Sequence, residues 1–460
     1  GEKRASRRLR ILTAGHAGTV VARCNRNGPP AGTVPPVTGT DGATGTHPHE
    51  ALQRRTLRVL MAGLIPAGAA MTSAYSAAAV LGEDLTGSEL LGGLAASGMT
   101  TGSALAILPL ARLMSRRGRR PGLLVGYLVA AIGATLCMLA AVTGWYPLLI
   151  PGMLGVGSGN AANLAARYAA ADLAPEVGRA RAIGTLVWAS TIGAVVGPSI
   201  GFGPAKSLAS SVGTSELAGP YMFATALFLT AALVVGRWLR PDPLVVAGGV
   251  GGSDTSEGRH LIDAARTLAV SATGRLAVLS MVVGHVVMVG VMTMTPLHLR
   301  EGAHQLKIIG LVISLHIIGM YACAPIVGWL ADRLGPLTVL AVGGMILFAG
   351  SEMAGRTRPE DSLGIFVGLF LIGLGWSFGL IASSALLVDE FDGPERVRVQ
   401  GLADVGMTAA GALAGVGSGV FVTFSDYATL AHGSALVGLF PTAAVLTMRL
   451  RARRRNRLTS

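Results

Sequence analysis

Twelve apolar runs of about 20 residues, separated by short polar breaks, fill the chain from residue 57 onward. A helix needs roughly 20 residues to cross the ~30 Å hydrocarbon core of a bilayer. The runs lie near residues 57–80, 90–113, 121–143, 146–170, 181–203, 220–239, 275–297, 308–331, 336–354, 363–386, 399–424 and 429–448. Helix is the conformation they dictate, because lipid offers the backbone no partners and the runs lack the period-2 alternation of a barrel. Trp145, Tyr146, Tyr221 and Trp238 fall at run ends, where amphipathic rings favour the membrane interface. Only 13 % of residues are charged, about half the share of an ordinary soluble chain. The expected fold is an all-α membrane protein of 12 transmembrane helices in two six-helix bundles.

A formal charge of +13 raises the question of a nucleic-acid partner, and charge placement argues against one. With the N-terminus inside, all but five of the 37 Lys and Arg residues fall in cytoplasmic segments; the five are Lys206, Arg300, Lys307, Arg356 and Arg358. Acidic residues show no such exclusion, with nine of 24 outside. This asymmetry is the positive-inside rule, so the charge sets topology: a multi-pass protein of the plasma (cytoplasmic) membrane with both termini cytoplasmic. The scattered cysteines, Cys24, Cys137 and Cys323, form neither a disulfide framework nor a zinc cluster.

Five segments follow. Residues 1–55 are basic and rich in Gly and Pro, and are expected to be a disordered tail. Within it, Ile11–Val21 is too broken by Gly15, His16 and Gly18 to serve as a signal-peptide core. Residues 56–240 make the first bundle and 275–448 the second. Residues 241–274, with the Gly248–Ser253 run, make a flexible cytoplasmic linker. Residues 449–460 make a basic tail suited to anionic lipid.

The halves repeat. A shift of 217 residues superposes Arg116, Gly118, Asp172, Arg179, Arg181 and Gly184 on Arg333, Gly335, Asp389, Arg396, Arg398 and Gly401. The segment Gly328-Trp329-Leu330-Ala331-Asp332-Arg333-Leu334-Gly335 resembles the G-x-L-A-D-R-x-G signature of the major facilitator superfamily. Its first-half counterpart keeps the basic end but has Ser115 where the family usually has Asp. Gly184, Gly193, Gly197-Pro198 and Gly201 are similar to the antiporter motif of the drug:proton antiporter branch, with Phe202 at the usual final Gly. The resemblance implies alternating access between inward- and outward-open states. Independently of it, Gly193, Gly197 and Gly201 recur every four residues and so form one groove, from which Gly184 is excluded, while Pro198 removes a helical donor.

Three sets of residues carry the expected mechanism. A cytoplasmic latch is expected from Asp332 and Arg333 with Asp389 as acidic partner, and from Arg116 and Arg119 facing Asp172 or Glu176. Ionisable groups at membrane depth are the coupling candidates: Asp404, His285 and His316. Asp404 has the alternative of pairing with Arg398 at the interface, and each His that of a hydrogen-bonded core residue. The first span holds only Arg58, without the acidic residue that many proton-coupled exporters of the superfamily carry there, and Glu83 and Asp84 are the possible substitutes. Asn160, Asn163 and Arg167 share one face of the fourth span. The resemblance places that span on the central cavity, with Met288 of the seventh and Trp376 of the tenth. The alternatives are helix packing for the Met stripe and snorkelling for Arg167.

No P-loop, H-E-x-x-H or paired-Cys motif occurs, and Gly375–Gly379, a formal G-x-S-x-G, lies within a span rather than at a strand–turn–helix. An enzyme is therefore not expected, nor a cofactor, and a proton gradient is the expected energy source. The expected activity is proton-coupled efflux of small amphipathic or hydrophobic compounds by a monomer whose partners are the lipid bilayer, substrate and protons. The rivals are uptake or exchange of a polar metabolite on the same fold, and a non-transporting membrane sensor or scaffold.

Overall fold

The computed structural model describes residues 48–211, 213–251, 257–302, 306–358 and 362–459. The expected disordered tail lies, for residues 1–47, outside them. All regular structure among the described residues is helical. The long elements are α1 (Pro48–Thr86), α2 (Glu89–Arg117), α3 (Arg119–Thr143), α4 (Leu149–Ala169), α5 (Arg179–Ile200) and α6 (Gly219–Trp238). After a connection come α7 (Ala272–Glu301), α8 in two pieces (Leu306–Tyr321 and Ala324–Leu334), α9 (Pro336–Gly355), α10 (Ser362–Glu390), α11 (Gly393–Thr423), and α12 in two pieces (Tyr427–Gly438 and Phe440–Thr459).

Eleven helices among the described residues are long and apolar enough to cross a membrane. The expected fourth span, α4, is outside that set although it is a 21-residue helix. Asn160, Asn163, Arg167 and its glycines dilute its apolar content, and it meets α1, α2 and α3 instead of standing free. A helix packed on several sides tolerates polar groups that lipid would not.

Two boundaries differ from expectation. α1 starts at Pro48, so residues 48–55 are helix and not tail. The connection between α6 and α7 contains a helix at Glu257–Val270 instead of being flexible throughout. Helix also runs through the C-terminal basic tail to Thr459, with Arg at five of the positions 449–455.

Packing partners divide at the α6–α7 connection. α1 packs on α2, α5 and α6, and α4 on α2 and α3; beyond the connection α7 packs on α10 and α11, and α9 on α10 and α12. Two lines join the groups, α2 with α11 and α5 with α8. Glycine permits the tightest crossings: a Cβ on Gly102 would lie 2.0 Å from the Leu154 carbonyl oxygen, and one on Gly157 2.3 Å from that of Met99. Helices in lipid gain little from burying apolar surface against one another, so such close approach carries their association. The lines between the groups use it twice, with the halves exchanged. Gly184 faces Gly328, and Gly401 faces Ala111, each residue 217 positions from its counterpart.

Candidate functional site

A cavity of about 120 Å³ lies between the two groups, reached by side chains of α1, α4, α5, α8 and α10. Its wall is mainly apolar, with Thr72, Asn160, Asn163, Arg167, Tyr321 and Trp376 as its larger polar or amphipathic groups. The expected α4 face is therefore in the cavity. Asn160 donates to Ser103 Oγ at 3.0 Å, and Asn163 Oδ1 accepts from the Tyr127 hydroxyl at 3.0 Å. These bonds fix the amides while leaving polar capacity. Trp376 forms the opposite wall: Tyr321 meets it edge-on at 5.8 Å, and its indole N–H donates to His285 Nδ1 at 3.0 Å. Met288 is not among the lining residues and packs in the second hydrophobic core.

Arg167 is almost fully buried at one end of this cavity and is held by both groups. Its Nε donates to Ser384 Oγ of α10 at 3.1 Å, its Nη1 to the Leu164 carbonyl at 2.7 Å, and its Nη2 to the Tyr168 hydroxyl at 3.0 Å. The guanidinium also pairs with the Asp404 carboxylate of α11, equally buried. Asp404 thus meets Arg167 and not Arg398, whose Nε donates to Pro394 O at 3.4 Å; snorkelling of Arg167 to the interface is likewise not seen. Beyond the pair a smaller void is lined by Asp404, Tyr168, Gln400 and Arg119.

Arg119 begins the next layer, toward the end of the bundle that carries the Arg-rich connections. Its Nε and Nη2 reach Asp172 at 2.8 and 3.2 Å, and Nη2 also reaches Gln400 Oε1 of α11 at 2.9 Å. Both charges are buried. Of the expected first-half partners Arg119 and Asp172 do pair, whereas no bond from Arg116 to either is seen. In the second half the expected Arg333–Asp389 partnership is replaced. Asp389 pairs with Arg179 of α5 at 2.7 Å, and Arg333 lies over the Trp329 ring at 5.3 Å. Asp332 accepts from the backbone N–H groups of Ala180 and Arg181, both at 3.1 Å. Its charge sits on the exposed donors and positive dipole end of α5.

The α5 glycines form the expected groove, and α1 fills it. A Cβ on Gly193 would lie 2.8 Å from Ile65 O, one on Gly197 2.4 Å from Ala69 O, and one on Gly201 2.2 Å from Ser73 Oγ. Gly184 faces α8 instead, as its spacing requires. After Pro198 the helix passes into a π-helical turn at Gly201–Ala205, with Gly203 out of helical geometry (φ −102°, ψ −106°). Similar close approaches elsewhere in the bundle make this groove one of several.

His316 is fully buried away from the cavity, bonded through Nδ1 to Leu369 O at 2.8 Å. That is its core alternative, while His285 touches the cavity only through Trp376. Thr72, Tyr168, Tyr321, Ser384 and Gln400 were not singled out by sequence. Each is an ordinary polar or aromatic residue in an apolar run, with no spacing signal to mark it. Among the described residues no three His, Cys, Asp or Glu side chains gather as a metal ion would require.

A many-helix membrane bundle with a cavity between its halves, and charges paired across one rim, defines a transmembrane carrier rather than an enzyme. The Major Facilitator Superfamily profile matches residues 60–305 and 276–459, and the chain belongs to that superfamily of secondary transporters. Two Bacillus subtilis (strain 168) proteins are similar. The uncharacterized MFS-type transporter YddS is 35 % identical over 398 residues, covering 86 % of this chain and 91 % of its own. The uncharacterized MFS-type transporter YdeG is 36 % identical over 407 residues, covering 87 % and 93 %. The riboflavin transporter RfnT of Brucella anthropi is 27 % identical over 356 residues, covering 76 % and 85 %. The fold is shared with the E. coli fucose:proton symporter FucP (TM-score 0.67, 17 % identity, covering 84 % of this chain and 97 % of that one). It is shared too with the human organic anion transporter MFSD10 (TM-score 0.69, 16 % identity, covering 85 % and 99 %).

Proposed function

We propose that the chain is a twelve-span, proton-coupled exporter of small amphipathic compounds, with both termini cytoplasmic and α4 as the span that lines the cavity. The observation that carries this reading is the buried Arg167–Asp404 pair, which joins the two halves at the end of the cavity. The Arg-rich end is then the cytoplasmic one. Arg119–Asp172–Gln400, Arg179–Asp389 and Asp332 on the α5 N-terminus close it, so that the cavity belongs to an outward-facing state.

Asp404 is the proton acceptor in this scheme. As a carboxylate it neutralises Arg167 and holds α4 to α11. Protonated, it no longer balances the guanidinium, and the inner seam is free to part. Proton entry from outside and substrate release to the outside then belong to one state, which is antiport. The mainly apolar wall, with amides and a tryptophan set into it, favours a compound with a flat apolar body and a few polar groups.

The similarity to a riboflavin transporter supports a second reading: uptake of a flat heteroaromatic metabolite on the same scaffold. Inverted membrane vesicles with an imposed pH gradient separate the two. Export predicts that amphipathic dyes accumulate in them and are released by an uncoupler. Entry of riboflavin into right-side-out vesicles, with no dye movement in inverted ones, overturns the export reading.

A further inference from the structure

A second recess lies outside the transport path, on the surface between the Arg-rich ends of α1 and α6. Ala51, Arg55, Arg58, Val59 and Ala62 line one side of it, and Val234 and Trp238 the other. The α1 residues follow i, i+4, i+7, i+8, i+11 and so form one face of the helix. That face is ordered along α1: Ala51 opens it, the two arginines follow, and Val59 and Ala62 lie one turn beyond Arg55 and Arg58 respectively. α6 repeats the order in reverse, with Val234 deep and Trp238 at the helix end, 47 % exposed. Charged groups followed by an interfacial aromatic and then apolar wall match the profile of a phospholipid, from phosphate through glycerol to acyl chain.

Among the described residues, no carboxylate occupies the two arginines. Neighbouring Arg54 pairs with Glu50 at 3.1 Å. Arg58 donates to the Arg54 carbonyl at 3.3 Å, and among the described residues neither Arg55 nor Arg58 meets a carboxylate. Guanidinium groups match phosphate oxygens in planar, bidentate fashion. Orientation alone needs positive charge on the cytoplasmic side, without requiring two arginines above a recess with a tryptophan on its rim.

We propose that this recess is a binding site for an anionic phospholipid of the inner leaflet, its phosphate on Arg55 and Arg58 and one acyl chain along Val59, Ala62 and Val234. The site is independent of which compound the central cavity carries. Occupied, it pins α1, the helix that fills the α5 groove, to α6 at the membrane surface.

The full chain is placed in nanodiscs of equal parts dioleoyl-phosphatidylglycerol and dioleoyl-phosphatidylcholine, and the lipids retained after ejection are read by native mass spectrometry. The wild type is expected to retain phosphatidylglycerol in preference. At roughly fivefold per basic residue, R55Q/R58Q is expected to lower that preference about 30-fold. A62W keeps both charges but fills the recess, and is expected to lose the retained lipid as well. R451Q/R453Q removes the same charge from the exposed end of α12, where no recess seats a lipid, and is expected to lower the preference by far less than R55Q/R58Q. Equal losses in the two double variants, retention by A62W, or a wild type without preference would each overturn the proposal. Unchanged melting temperatures in detergent keep a folding defect from imitating the result.

Discussion

Asp404→Asn tests the inner seam most directly, since it removes one charge and keeps the side chain's size. The Arg167 and Asp404 side chains are only 3 % and 4 % exposed, so solvent screens their attraction little. Removing one partner of such a pair costs about 3–5 kcal/mol, because the other charge stays buried without compensation. Arg167 keeps its bonds to Ser384, Leu164 and Tyr168, which are neutral and do not replace the carboxylate. If the halves part at this end, Arg167 reaches water and the whole penalty falls on the closed state. At tenfold per 1.4 kcal/mol, that state loses population by roughly 10²- to 4 × 10³-fold relative to the open one. Spin labels at Val177 and Leu334, both exposed at the Arg-rich end, report the separation by electron–electron resonance in a background without native cysteines. Asp404→Asn is expected to add a longer-distance population. The paired change R167M/D404L is expected to restore the short one, because an apolar pair of similar volume packs without a charge to desolvate. A distance distribution for Asp404→Asn that matches the wild type would refute the seam, and with it the coupling role of Asp404.

Gly197→Val forces a branched side chain against Ala69 O, where even a Cβ would lie at 2.4 Å; overpacking of about 1–3 kcal/mol or more is expected. The melting temperature in detergent should fall, whereas Gly417→Ala, with nothing within 4 Å, should leave it unchanged. Asp426 caps the Tyr427–Gly438 helix by accepting from the Thr429 N–H at 2.7 Å, and that bond holds its carboxyl below the usual carboxylate range. Its contribution is present above its ordinary value of 3.8 and is lost as pH falls through the lowered one. Asp426→Ala should therefore lower the melting temperature at neutral pH and lose the difference from wild type in acid.

The helical plan was legible because lipid leaves the backbone a single local solution, and each run therefore declares itself. The weakest run in hydropathy, α4, is weak because of where it sits: its polar face lines the cavity. Helix ends were less legible. α1 begins nine residues before the first apolar run because Arg54, Arg55 and Arg58 lie on exposed helical turns, where hydropathy carries no signal. In the site, residues of unusual type for their surroundings could be found, and Asn160, Asn163, Arg167, Asp404 and Trp376 were. Tyr168, Ser384 and Gln400 could not, since nothing in their own type distinguishes them.

Pairing was the least legible property, and the internal repeat shows why. A shift of 217 residues identifies Arg179 with Arg396 and Asp172 with Asp389, which establishes equivalence of position but not contact. Partners sought inside each half led to Arg333 with Asp389. The contacts instead cross the middle: Arg179 of the first half holds Asp389 of the second. The reciprocal position is altered, since Asp172 is taken by Arg119, for which position 336 of the second half offers proline. Asymmetry of the same kind appears at Ser115 against Asp332. One of the two seams, α5 against α8, is held by a carboxylate on a helix end and an exposed ion pair, an arrangement that water weakens easily. The other, α2 with α3 and α4 against α11, holds the buried Arg119–Asp172 and Arg167–Asp404 pairs and the smaller void between them. Under the proposed coupling, a proton acts most strongly where the charges are driest, so the α4–α11 side is where the two halves are expected to sense it.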